Sequence, residues 1–127
     1  MVNRTWLSVA LLGSLSLNAG TSTAAQQIIS NDKQLGAALK TAKTADDHRR
    51  IAAYYQEKAR NLQSKEKEER DMANYFATHP SLYGKLYPTP YQNHKWLAES
   101  YHREAAEALQ KASQHEETVE SLESKSH

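Results

Sequence analysis

HRRIAAYYQEKA, residues 48–59, recurs 46 positions later as HKWLAESYHREA, residues 94–105. Both copies fit one pattern, H-x-x-[IL]-A-x-x-Y-x-x-x-A. The spacing is helical, because residues three and four apart lie on one face of an α-helix. We interpret the two copies as the openings of two long helices, A and B, that pack against each other.

A seam of positions continues from each copy at alternating steps of four and three residues. In helix A the seam comprises His48, Ala52, Tyr55, Ala59, Leu62, Glu66, Glu69, Ala73 and Phe76. In helix B it comprises His94, Ala98, Tyr101, Ala105, Ala108, Ala112, His115, Val119 and Leu122. Further apolar side chains that widen the two seams are Ile51, Met72, Trp96, Leu97 and Leu109. Steps of about 3.5 residues on average predict an all-α fold, an antiparallel two-helix hairpin of the coiled-coil type.

Capping residues and prolines set the expected helix boundaries. Thr44 is a good N-cap for helix A, and Pro80 ends that helix because it keeps the preceding residue out of the helical region. Thr89, Pro90 and Gln92 form a capping box with proline at the first position of helix B. The predicted segments are a signal peptide (1–25), an N-terminal segment with a short helix (26–43), helix A (44–79), a connection (80–89), helix B (90–123) and a frayed tail (124–127).

The first residues predict export. Arg4 supplies the one positive charge, residues 6–17 (WLSVALLGSLSL) are apolar, and residues 18–25 (NAGTSTAA) are small and polar. This order is typical of a cleavable secretory signal peptide, and the apolar run is short for a bilayer span. An uncleaved anchor is the alternative. We expect cleavage between Ala25 and Gln26, with cleavage between Ala19 and Gly20 as the alternative. The mature chain is expected to be periplasmic or secreted, with no membrane span after removal of the signal.

The N-terminal segment and the connection also contain apolar residues that are expected to pack. Ser30 or Asn31 is expected to cap a short helix with an apolar face of Leu35, Ala38, Leu39 and Ala42. The connection is expected to fold over the end of the hairpin, with a possible helical turn, through Leu82, Tyr83, Leu86 and Tyr87. The alternative for the connection is a tyrosine-lined contact surface for a partner.

Charge and cysteine content narrow the classes of function. Without residues 1–25 the chain carries 15 basic and 15 acidic side chains, a balance that gives no electrostatic basis for binding nucleic acid. The absence of cysteine rules out disulfides, thiol catalysis and thiolate metal sites. No nucleophile elbow or glycine-rich phosphate loop is present, so a non-enzymatic protein is predicted.

An antiparallel pairing about the connection predicts which seam residues meet. The expected neighbours are Tyr55 with His115, Glu69 with Tyr101, Phe76 with His94 and His48 with Leu122. A tyrosine hydroxyl can bond an imidazole or a carboxylate, so these layers are expected to fix the register. Alanine dominates both seams, and such a thin seam predicts a homodimer, another protein partner, or packing of the short helix on the pair.

The seam histidines support a rival hypothesis. His48, His94 and His115 lie on the seam, and imidazole suits Zn, Cu, Ni or Fe. A dimer that brought them together would make a metal- or haem-binding protein. The structural interpretation is that these histidines form register layers with tyrosine.

A weaker enzymatic alternative rests on one four-residue match. Glu99 and His102 form an E-x-x-H, half of the ligand motif of ferritin-like di-iron sites. A dimer would supply two copies, with Glu66 or Glu69 as the added carboxylates. Both motif residues flank the seam instead of lying on it.

The repeated motif resembles a family of small exported bacterial proteins, uncharacterised helical hairpins. The resemblance covers about residues 45–122, including the A-D-H start of the first helix, matched here by His48 and the aspartates before it. Relatives carry a later His-x-x-Met-Ala and a His-Cys that opens the second helix. Glu69 and Lys95 depart from those two patterns. The resemblance implies a hairpin fold and export, and it implies no activity. Because of the two departures, it does not imply a site that needs the full set of histidines or a thiol.

Overall fold

The computed structural model describes residues 27–82, 84–86 and 88–126, and the regular structure in these ranges is entirely helical. The elements are α1 (Asp32–Thr41), α2 (Ala45–Thr78), a 3-10 turn (Pro80–Leu82) and α3 (Pro90–Ser124). The all-α prediction is confirmed. The predicted signal peptide, residues 1–25, lies outside the described residues.

Reciprocal side-chain bonds start the two long helices. The Thr44 hydroxyl accepts the Asp47 backbone N–H at 3.2 Å, and the Asp47 carboxylate accepts the Thr44 N–H at 3.1 Å. The Lys43 backbone N–H also donates to the Asp47 carboxylate, at 3.1 Å, and this bond, ahead of those from the Thr44 hydroxyl and N–H, lowers the pKa of Asp47. Thr89 and Gln92 form the same capping box at α3. The caps satisfy N–H groups that have no partner within the helix, so both helices start where the sequence places them.

Helices α2 and α3 pack along each other in opposite directions. Arg49, in the first turns of α2, pairs with Glu123 at the end of α3. Glu69, in the second half of α2, bonds His94 in the first turns of α3. All predicted seam positions are buried or half-buried. We call the end with the start of α2 the open end, and the opposite end, which the connection closes, the loop end.

The N-terminal segment and α1 cover one side of the open end. The buried cluster there consists of Ile29, Leu35, Ile51, Tyr55, Ala59, Ala108 and Ala112. The Tyr54 hydroxyl donates to the Asp32 carboxylate at 2.5 Å, and this bond, with burial, raises the pKa of Tyr54 to about 12. Asn31 caps α1 by accepting the Gln34 N–H at 2.9 Å. Leu39, expected on the buried face, is exposed instead.

The connection differs in part from the prediction. It contains the 3-10 turn, and Gly84 adopts a φ of 54°, a left-handed conformation that glycine tolerates best. Leu82 and Leu86 are exposed, so the expectation that they fold over the hairpin end is wrong. Tyr83 and Tyr87 lie outside the described residues. None of the helices in the described ranges combines the length and apolarity that crossing a membrane requires.

Candidate functional site

The sequence repeat gives the seam two matching polar layers. Because the copies are 46 residues apart and the helices are antiparallel, exchanging α2 with α3 maps His48 onto His94. The same exchange maps Glu69 onto His115. His48 contacts His115, and His94 contacts Glu69. The two pairs are therefore equivalent under an approximate two-fold axis, which relates the open end to the loop end.

The open-end layer is a pair of histidines. The Nδ1 atoms of His48 and His115 lie 2.8 Å apart, a hydrogen-bond distance. One ring must carry the proton on Nδ1 and the other must present a lone pair there. Tyr55 stacks on His115 with ring centroids 6.1 Å apart. Burial, and then the charge of His48, lower the pKa of His115, because a second proton would place two positive rings in contact.

The loop-end layer pairs histidine with a carboxylate. Nδ1 of His94 lies 2.5 Å from Oε2 of Glu69, and the carboxylate accepts the imidazole N–H. Phe76 stacks on His94 with centroids 5.5 Å apart and planes 8° apart. Both polar side chains are half-buried. The bond satisfies each of them, so this layer holds polar groups in the seam without an unpaired partner.

Glu66 lies at a third contact between the helices. Its carboxylate accepts bonds from Arg70, at 2.7 Å, and from Nδ1 of His102, at 3.2 Å. The bond from Arg70, ahead of the one from His102, lowers the pKa of Glu66. The arrangement is a surface ion-pair network across α2 and α3, of a kind that contributes little stability for each exposed pair.

The predicted register partners are met in part. Tyr55 contacts His115 and Phe76 contacts His94, as expected. His48 bonds His115, although Leu122 was its expected neighbour, and Glu69 bonds His94, although Tyr101 was expected. Tyr101 lies beneath the Lys65 ammonium, 5.7 Å from its ring centroid. Polar seam groups thus bond one another, because each reaches the polar residue seven positions, or about two helical turns, before its expected neighbour.

The three histidines proposed as metal ligands do not meet within one chain. His94 is held by Glu69, which follows His48 by 21 residues on α2, about 30 Å at 1.5 Å per residue. His48 and His115 form a two-residue set. Across the described ranges, no three His, Cys, Asp or Glu side chains form a group that could hold a metal ion.

The E-x-x-H residues do not form a carboxylate–histidine cluster either. His102 contacts Glu66, one of the carboxylates that the di-iron hypothesis added. Glu99 is exposed and lines a shallow depression beside Arg70 and Lys95. His102 is itself 64% exposed, so this part of α3 faces solvent.

Several apolar side chains that were expected to widen the seam are exposed. Trp96 is 53% exposed, Leu97 43%, Leu109 45% and Met72 is similar. Ile51, at the same position of the repeat as Leu97, is fully buried. The difference is α1, which covers the first copy of the repeat and not the second. The repeat pattern does not predict this difference in exposure, because Ile51 and Leu97 occupy the same position in the two copies.

Comparison with protein-family models, with curated proteins and with solved structures finds no match to this chain.

The histidine layer makes stability sensitive to acid. The pKa of His115 is lower in the folded chain than its ordinary value of 6.5, so the unfolded chain binds the proton more readily. The stability that neutral His115 contributes is complete above that value and is lost as the pH falls through the folded pKa. We expect the melting temperature, followed by circular dichroism, to fall between pH 7.5 and pH 5, and to fall less in His115→Gln. His79→Gln, a change at an exposed histidine, serves as the control. An equal fall in His115→Gln and the unchanged chain would contradict this.

Proposed function

We propose that this chain is an exported, non-enzymatic protein-interaction module, a coiled-coil-like helical hairpin that works as a homodimer. Export is proposed from the signal-like residues 1–25. The interaction role is proposed from the surface of the helix pair.

The observation that carries the proposal is that the buried apolar side chains of the seam are mostly small, whereas several large ones are exposed. The fully or largely buried seam positions are mostly alanines, whereas Trp96, Leu97 and Met72 are about half exposed. Burying apolar surface stabilises by about 25 cal/mol per Å². Covering these large side chains with a partner would therefore contribute more free energy for each residue than burying an alanine between α2 and α3 does. Large apolar side chains grouped on a surface are typical of protein contact sites.

The contacts of the polar seam residues indicate that these residues have a structural role. His48 bonds His115 and His94 bonds Glu69, so each has a partner on the opposite helix. Polar pairs of this kind fix the register of an alanine-rich seam, in which neighbouring registers would otherwise pack almost equally well.

The test of this function measures export and assembly together. The full chain is expressed in a bacterial host, and the product recovered from the periplasm is analysed by mass spectrometry and by sedimentation equilibrium. We expect a product that lacks about the first 25 residues and sediments as a dimer at micromolar concentrations. A chain that keeps residues 1–25 contradicts export, and a monomer over the whole concentration range contradicts self-association.

A second candidate function is metal binding at the His48–His115 pair. The 2.8 Å separation of the two Nδ1 atoms favours it, because a small rotation of both rings would direct two imidazole lone pairs at one ion. Titration with Zn²⁺ or Cu²⁺ by calorimetry tests it. We expect binding that is lost in His48→Ala and in His115→Ala and kept in His94→Ala, the matched change in the loop-end layer. Absence of binding by the unchanged chain rejects this candidate.

A further inference from the structure

The approximate two-fold axis reveals one apolar surface that lacks the cover given to its equivalent. Exchange of the helices maps Ile51 onto Leu97. Ile51 is fully buried beneath the N-terminal segment and α1, while Leu97 is 43% exposed. We propose that the Leu97 face, which we define as Met72, Tyr75, Trp96 and Leu97, is the surface on which a second copy of this chain docks. The inference rests on the proposed self-association and assigns it a place.

The residues around Leu97 repeat those that receive α1 at the open end. Tyr101 and Ala105 stand where Tyr55 and Ala59 stand in the buried cluster. Leu62 stands where Ala108 stands. Ala112 of the open-end cluster has Glu66 as its equivalent, a half-buried carboxylate that bonds Arg70 and His102. The loop end therefore repeats the tyrosine and small apolar positions of the open end, with a larger side chain at Leu62 and a carboxylate at Glu66. An apolar partner can pack on the apolar part of this surface.

Trp96 strengthens the comparison. Its equivalent in the first copy is Arg50, which lies at the edge of the covered side and donates from Nε to the backbone carbonyl of Gln27 at 2.8 Å. The equivalent position thus touches the covering segment. At the loop end a tryptophan, 53% exposed, occupies this place. The second copy of the repeat is consequently more apolar at its rim than the first.

Met72 and Tyr75 extend the face onto α2. The register set by the contact of Phe76 with His94 places Met72 opposite Leu97, on the same side of the pair. Tyr75 lies one turn further on and stacks on His79 with ring centroids 4.4 Å apart. This stacking holds the tyrosine ring against its own helix, so an aromatic surface is already ordered before any partner binds.

The size of the face fits a dimer. A buried aromatic side chain contributes about 150–250 Å², so four half-exposed large side chains offer roughly 350 Å² in one copy and about 700 Å² in two. With about 60% apolar area in an interface, that corresponds to a total of roughly 1,200 Å², the lower end of stable interfaces. One two-fold contact would cover both exposed faces at once.

The rim of the face carries charges of both signs. Lys65 on α2 and Glu104 on α3 are exposed on the side of the face away from the connection. A two-fold interface must complement itself, so a rim of one sign would repel its own copy, whereas a mixed rim can place each charge opposite the other sign. The rim therefore favours a second copy over a strongly charged partner.

The first test compares two exposed leucines. Leu97→Lys puts a charge at the centre of the face, and Leu109→Lys puts the same charge at a position that is 45% exposed and lies outside the face. We expect Leu97→Lys to raise the dimer dissociation constant at least about tenfold, a change of about 1.4 kcal/mol, with unchanged helicity by circular dichroism. Leu109→Lys should sediment as the unchanged chain does.

The outcomes separate this inference from the proposed function. If the unchanged chain is a monomer, self-association itself fails. If it is a dimer and Leu97→Lys remains one, the Leu97 face is the wrong surface while the proposed function stands. The same conclusion follows if Leu109→Lys dissociates the dimer and Leu97→Lys does not.

A second test does not depend on how well a lysine is tolerated. The chain has no cysteine, so Leu97→Cys and Leu109→Cys each introduce a single thiol. Near a two-fold axis a residue lies close to its own copy, so mild oxidation should link Leu97→Cys into a covalent dimer and leave Leu109→Cys unlinked. Equal linking of both variants overturns the inference. The inference is also overturned if the thiol of Leu97→Cys is alkylated freely in the purified chain and is protected only when a different periplasmic protein is added.

Discussion

Replacing Ile51 with alanine is expected to remove a large part of the stability of the fold. Ile51 is the largest side chain with no exposed surface, and its cluster joins the N-terminal segment, α1, α2 and α3. Truncating a buried isoleucine to alanine costs about 2–5 kcal/mol, against a total of about 5–15 kcal/mol for a typical domain. The melting temperature should fall by roughly 10–30 °C for a chain of this size. Thermal and urea unfolding followed by circular dichroism measure both quantities.

The matched control for this change is Leu109→Ala. Leu109 is 45% exposed, and alanine is the better helix former, so this variant should lose well under about 1 kcal/mol. Ile51→Val, which removes one methyl group, should lie between the two at about 1 kcal/mol. Similar losses for Ile51→Ala and Leu109→Ala would show that the covered side of the open end does not contribute the stability assigned to it.

Enlarging Ala59 is the second change with a large expected effect. Ala59 has no exposed surface and lies on α2 in the same buried cluster as Ala108 and Ala112 of α3. Small residues there let the two helices approach closely, and a phenylalanine has no space to occupy. Overpacking of a close-packed core typically costs about 1–3 kcal/mol. We therefore expect Ala59→Phe to lower the free energy of unfolding by at least that range, or to separate the helices at the open end.

Ala106→Phe isolates the effect of the seam. Ala106 is exposed on α3, so this variant loses the same helix propensity, about 0.5 kcal/mol, without a steric conflict. The difference between the two variants in denaturant midpoint reports the packing cost alone. If both unfold at the same midpoint, Ala59 does not lie in a close helix–helix contact, and the pairing of α2 with α3 at the open end is wrong.

The helices themselves follow from local sequence signals. The Thr44 and Thr89 hydroxyls accept the backbone N–H groups of the residues three positions further on, Asp47 and Gln92, and the chain order alone reveals this spacing. The four-and-three spacing identifies the buried face because side chains on a helix recur with a fixed period. The helix class, the start of each helix and the seam positions could therefore be predicted without coordinates.

The site could be predicted only in part. The pattern identified His48, His94 and His115 as seam residues, and all three are half-buried. It could not decide that His48 bonds His115 while His94 bonds Glu69. His115 contacts both His48 and Tyr55, which are seven positions apart on α2, so a polar side chain can reach more than one candidate across the seam. Side-chain rotamers and packing select among them.

The sequence by itself determined the all-α class, the capped starts of α2 and α3 and the line of seam positions, because each depends on residues within a turn of one another. The tertiary structure decided which side of the helix pair is covered. Ile51 and Leu97 hold the same place in the repeat, yet α1 packs over the first and leaves the second 43% exposed. Burial depends on which distant segment lies across a side chain, and a local repeat contains no information about that.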